Sequence, residues 1–110
     1  MAPLHVGALP DNALAAAADF HARVLPEVLV KLGGRSHLTL VMMPADHTHR
    51  AWRLAAIQSL AREHAPIRVN AVASDDEVAI AATCAYLAGA DGVTGQYLPL
   101  DSAGAGEVVR

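Results

Sequence analysis

Pro66-Ile67-Arg68-Val69-Asn70-Ala71-Val72-Ala73-Ser74-Asp75-Asp76-Glu77 is the stretch that decides the fold. Pro66 ends whatever helix precedes it, because proline offers no backbone N–H and disfavours helical geometry in the residue before it. Ile67 to Ala73 then reads as a strand. Ser74-Asp75-Asp76-Glu77 has the spacing of a capping box, in which Ser74 accepts from the Glu77 amide while Glu77 reaches back, so a helix is expected to open there. Ala79 to Ala88 continues it and Gly89 closes it. A helix, a strand and a helix follow one another with almost no connecting chain, which favours parallel neighbours in one sheet.

The same alternation extends in both directions. His37 to Met43 is a continuous apolar run between Gly33-Gly34 and Pro44, the pattern of a strand buried on both faces of a parallel sheet. Asp46 can cap the helix that follows, which runs to about His64 and carries a core stripe of Leu54, Ile57, Leu60 and Ala61. Earlier still, Leu4 to Leu9 between Pro3 and Pro10 suits an edge strand. Asp11 or Asn12 can cap a helix over Ala13 to Leu32, with Pro26 expected to bend it, since the apolar periodicity continues on both sides. Toward the C-terminus a turn through Asp91-Gly92 leads to a last strand, Gln96 to Leu100, and a Gly/Ala-rich tail. We therefore expect a single α/β domain over residues 1–110, a half-Rossmann three-layer fold of about four mostly parallel strands and three helices.

Composition narrows the function classes. The chain has 110 residues, 54% of them hydrophobic and 17% charged, with a formal charge of −3. That balance belongs to a folded core and not to a disordered segment. Arg35, Arg50, Arg53, Arg62 and Arg68 are dispersed, so no cluster attracts nucleic acid or anionic lipid. One cysteine, Cys84, allows no internal disulfide, and no signal peptide or membrane-spanning run is read, which makes the cytoplasm the expected compartment.

Three segments together resemble the short-chain dehydrogenase/reductase family, and most closely its 3-oxoacyl-carrier-protein reductase branch. They are Leu60-Ala61-Arg62-Glu63-His64-Ala65-Pro66-Ile67-Arg68-Val69-Asn70-Ala71-Val72-Ala73, then Glu77 to Leu87, then Val93-Thr94-Gly95-Gln96-Tyr97-Leu98-Pro99-Leu100-Asp101. The resemblance makes these the end of the helix that bears the family's catalytic Tyr and Lys, the sixth strand, the seventh helix and the seventh strand. Val24-Leu25-Pro26 and Gly33-Gly34-Arg35 similarly resemble the fifth helix and the start of the fifth strand. Nearly the whole chain is covered, and it corresponds to the C-terminal half of the family's fold.

The resemblance also implies what to look for and not find. Placing Ser59-Leu60-Ala61 on the family's helix puts Asp46 where the Tyr should be and Arg50 where the Lys should be; the family's Ser falls at Met42 or Met43 and its Asn at Ala13. No catalytic role keeps a candidate. The glycine-rich turn that holds the cofactor's pyrophosphate is not read in this sequence, since Gly33-Gly34 does not follow a strand and open a helix. Pro44-Ala45 replaces the family's active-site loop, and Ser74-Asp75 replaces its substrate lid. We expect no bound nicotinamide cofactor and no activity from this chain alone.

Other chemistry is weakly signalled. His47 and His49 beside Asp46, with His64 beyond, are spaced i and i+2 and not as helical metal ligands, so no metal site is expected. Cys84, in an Ala-rich helix with no neighbouring base, reads as a structural thiol. Trp52, with Ala55, Ala56 and Ser59, could form a second, small-residue face on its helix, or Trp52 could instead pack over the shortened loop. In the resembled family, the two helices matching Ala13 to Leu32 and Asp46 to His64 pair with the same helices of another subunit. The leading expectation is thus a non-catalytic subunit that forms a homo-oligomer or joins a full-length reductase. Two alternatives stay open: a half-reductase completed by another chain into an NAD(P)-dependent ketoreductase, and a small scaffold or ligand-binding homodimer.

Overall fold

The computed structural model describes residues 2–101 and 104–108, with the backbone alone for Asp101 and 104–108. Strand β1 (Leu4–His5) leads into one helical run made of α1 (Ala13–Asp19), a π-wound segment Phe20–Val24, and α2 (Leu25–Leu32). Asn12 caps α1 by accepting from the Ala15 amide at 3.0 Å. Pro26 explains the π winding. Its missing N–H and its ring would disturb the α-helical ladder, and the preceding residue, Leu25, donates instead to Phe20 one residue further back than usual. The helix is deformed at this point but not broken.

Strand β2 (His37–Met42) follows, then a 3₁₀ turn (His47–His49) and helix α3 (Arg50–Glu63), strand β3 (Arg68–Ala73), helix α4 (Glu77–Gly89) and strand β4 (Tyr97–Asp101). The sheet order is β1-β2-β3-β4, all parallel, with His37 opposite Arg68, Met42 opposite Ala73, and Ala71 opposite Tyr97. This is the α/β half-Rossmann arrangement that the alternating pattern predicts. α1, α2 and α3 pack against one face and α4 against the other. Because strand side chains alternate, Leu38, Leu40 and Met42 join Val69, Ala71 and Ala73 in the larger core with Phe20, Val28 and Ile57. Val41 and Val72 turn to the opposite face and meet Ile80 and Leu87.

Three expectations need correction. The helix after β3 is not capped by Ser74. The Ser74 amide still pairs with the Met42 carbonyl, so the chain is extended at that point, and Ser74 Oγ accepts from the Asp76 amide. Asp76 is the cap, its carboxylate accepting from Val78 and Ala79. Gln96 to Leu100 does not hold the last strand: in the Gly/Ala-rich tail Gly104–Val108 forms β5, antiparallel to β4, with a register irregularity between Leu100 and Asp101. The first strand is shorter than Leu4 to Leu9, although the Val6 amide still donates to Val41.

Two polar side chains hold the sheet to its surroundings. Asn70 is buried on β3, donates to the Val93 carbonyl and accepts from the Gln96 amide, fixing the loop that enters β4. Gly95 in that loop has φ +75°, a backbone setting that glycine adopts at little cost. Arg68 donates to the carbonyls of Leu87, Ala90 and Ala88, the end of α4. That helix has no basic residue in its own last turn, so the neighbouring strand supplies the positive charge that its C-terminus favours.

Candidate functional site

A cleft of about 330 Å³ opens at the C-terminal ends of β1 and β2, where open α/β sheets place their ligands. Val6, Leu9 and Met42 supply apolar wall, Asp11 and Asp46 border it, and His49 and Arg53 complete it. The helical start after Pro44 creates this corner. Asp46 caps the 3₁₀ turn by accepting from the Thr48 amide at 3.0 Å and from the Thr48 hydroxyl. Those hydrogen bonds, the hydroxyl's foremost, hold the Asp46 carboxyl below the usual carboxylate range.

His49, 5% exposed, is fixed from both sides. Its Nδ1 accepts from the Trp52 indole N–H at 3.1 Å, so the ring proton lies on Nε2, which donates to the Asp11 carbonyl at 2.8 Å. The histidine thereby ties α3 to the start of α1. Trp52 itself is half-buried and packs on Phe20 with ring centroids 5.4 Å apart.

Arg53 is the least expected residue of the site. Only 3% exposed, it donates through Nη1 to the Met43 carbonyl at 2.9 Å and to the Tyr97 hydroxyl at 3.0 Å. The rings of Trp52 and Tyr97 flank the guanidinium at 5.7 and 5.8 Å. No carboxylate pairs with it among the described residues, and its Nε finds no hydrogen-bond partner there.

The positions carried over from the resemblance do not converge. Asp46 and Met42 border the cleft, while Ala13 and Arg50 lie outside its lining. Arg50 is exposed, and Met42 is 1% exposed as part of the core. Of the proposed contact face, Ala55 is exposed, Trp52 and Ser59 are half-buried, and Ala56 is inside the chain's own core at 6% exposure. Among the described residues no three His, Cys, Asp or Glu side chains are grouped to hold a metal. Burial pushes the half-buried Cys84 thiol up, away from thiolate character. No helix is long and apolar enough to cross a membrane, among the described residues.

A dinucleotide's pyrophosphate needs a helix N-terminus with free amides and no competing negative charge. Here α1 is capped by Asn12 beside Asp11, the 3₁₀ start of α3 by Asp46, and α4 by Asp76 with Asp75 and Glu77 adjacent. The described residues do not fit that group.

The sequence suggests His49 only as a rejected metal ligand and Arg53 only as one of the dispersed arginines, yet both left a signal of the roles they take. Arg53 stands four residues before Ile57, on the apolar stripe of α3, and an arginine at a core position needs a reason to be there. His49 and Trp52 have the i, i+3 spacing of side chains that meet on a helix.

A family model described as SDR-like, short chain dehydrogenase-like protein, matches residues 4–100, which run from β1 through nearly all of β4. No curated protein and no solved structure gives a significant match.

Proposed function

The chain belongs to the short chain dehydrogenase-like family, and from that premise we propose that it is a non-catalytic subunit assembling with itself or with a complete reductase of the ketoreductase type. The observation that carries this reading is the state of Asp46. At the position that resembles the family's catalytic Tyr stands a carboxyl engaged with Thr48 and held below the usual range. It remains ionised near neutral pH and has no proton to give to a developing alkoxide. Arg50, at the position resembling the Lys, is exposed and outside the cleft.

The assembly half of the proposal draws on the helical face. Leu14 is 81% exposed and Val30 79% exposed on α1 and α2, and Ala51 and Ala55 are exposed on α3. Exposed apolar and small side chains on these helices suit packing against another subunit. A stable contact of roughly 1,200–2,000 Å² in total is what such a face would need to form.

Sedimentation of the purified chain, with Ala55→Glu beside it, tests the proposal. Ala55 is exposed, so the substitution leaves the core untouched. Wild-type protein is expected to sediment above monomer mass, alone or once mixed with a complete reductase, and Ala55→Glu is expected to shift it back to monomer with its melting temperature kept. A well-folded monomer at micromolar concentration that joins no reductase would overturn the proposal, as would ketone reduction by the chain alone.

A further inference from the structure

We propose that the cleft at the C-terminal ends of β1 and β2 binds a small monocarboxylate with a short apolar chain, held by the buried guanidinium of Arg53. This goes beyond the assembly role and does not depend on it. A buried cation without a counter-charge is costly, since desolvation is offset only by a well-placed partner. Arg53 has two hydrogen bonds, both through Nη1 and both to neutral oxygens, and two aromatic faces, but no carboxylate among the described residues. Nε is left without any partner among them. The guanidinium also borders the cleft, which is of ligand size. With both Nη1 hydrogens engaged and Nε shut off from solvent, Nη2 is the donor left to meet a carboxylate in the cleft, in a charge-assisted hydrogen bond.

The rest of the lining narrows the ligand. Val6, Leu9, Met42 and Met43 offer apolar surface for a hydrocarbon body, and about 330 Å³ is at the low end of small-molecule sites. Asp11 and Asp46 border the same space. Each repels an anion, and the repulsion grows with its charge, so a monoanion is favoured over phosphate. Trp52, the chain's only tryptophan, lies against Arg53 and gives a built-in reporter.

Butyrate is the probe, titrated into the full chain while Trp52 fluorescence and the amide resonances of Gly7 and Ala45 are followed. Butan-1-ol matches the apolar body without the charge, and inorganic phosphate supplies charge without the body. Saturable butyrate binding with a Kd of ~1–10 mM is expected, the range a ligand this small can reach. Arg53→Met should weaken it by at least about tenfold, the loss of an ion pair in a partly closed site. Should Arg53→Met fail to fold, Gly7→Phe tests the same claim at another position of the lining. Gly7 lines the cleft and a Cβ added there meets nothing within 4 Å, so the ring can fill the space without straining the chain. This variant should abolish saturable binding. Three results would each overturn the proposal: no saturation by butyrate in the wild type, unchanged affinity in a folded variant, or butan-1-ol or phosphate binding as tightly as butyrate.

Discussion

Replacing Arg68 by Met keeps most of the apolar stem on β3 and removes only the guanidinium. Three hydrogen bonds disappear, at 2.7, 2.7 and 3.2 Å, and all three end on carbonyls of the last turn of α4 or just beyond it. A hydrogen bond from a charged donor contributes about 1.5–3 kcal/mol when its loss strands a buried partner. These carbonyls sit at a helix end that water can reach in part, so the three together are worth about 2 kcal/mol, and loss of the positive charge at the helix C-terminus adds roughly 0.5 kcal/mol. With the unfolding entropy of a domain this size, a loss of about 2.5 kcal/mol lowers the melting temperature by roughly 10 °C. Urea titration followed by far-UV circular dichroism measures the free energy, and a thermal melt checks it. The contact between Arg68 and Asp91, at 3.8 Å with the Asp91 side chain 97% exposed, is screened by solvent and should matter little. Asp91→Asn is therefore the control, expected within about 0.5 kcal/mol of wild type. The reasoning fails if Arg68→Met stays within that same margin, or if Asp91→Asn costs as much as Arg68→Met.

Two further outcomes follow from other parts of the fold. Asn70→Asp exchanges the amide that donates to the Val93 carbonyl for an oxygen, leaving two acceptors face to face in a buried site; a loss of about 2–3 kcal/mol is expected by urea titration, and a loss under about 1 kcal/mol would count against Asn70 as the anchor of the loop entering β4. The double substitution Asp46→Tyr with Arg50→Lys restores the residue types of the resembled catalytic pair, yet no helix N-terminus of the described residues is free to hold a pyrophosphate. The variant should show no ketone reduction with NADPH above background, and measurable turnover would show that the fold retains a cofactor site.

The alternation of helix and strand was legible in the sequence because its signals are local. Pro66, the Gly33-Gly34 pair and the Asp46 cap mark element ends through backbone geometry that needs no distant partner, and the apolar runs of β2 and β3 declare burial on both faces. Local rules also misled where two of them competed. Ser74 and Asp76 are both good caps two residues apart, and only the pairing of the Ser74 amide with Met42, a contact across the sheet, keeps the chain extended long enough to hand the role to Asp76. β5 is glycine-rich and carries little strand signal of its own; its pairing with β4 supplies the order.

The candidate site divides along the same line. That Asp46 and Arg50 occupy positions resembling a catalytic Tyr and Lys follows from the resemblance, which sets Ser59-Leu60-Ala61 on the family's helix and so needs no tertiary contact. What the tertiary structure decided is the company each residue keeps. Arg53 meets the Met43 carbonyl and the Tyr97 hydroxyl, 10 and 44 residues away, and His49 meets the Asp11 carbonyl 38 residues away. Sequence places a guanidinium on a helix, but whether it is paired, solvated or left buried beside an open cleft depends on which strands and loops the parallel crossovers bring around it, and those contacts exist only once the sheet is assembled.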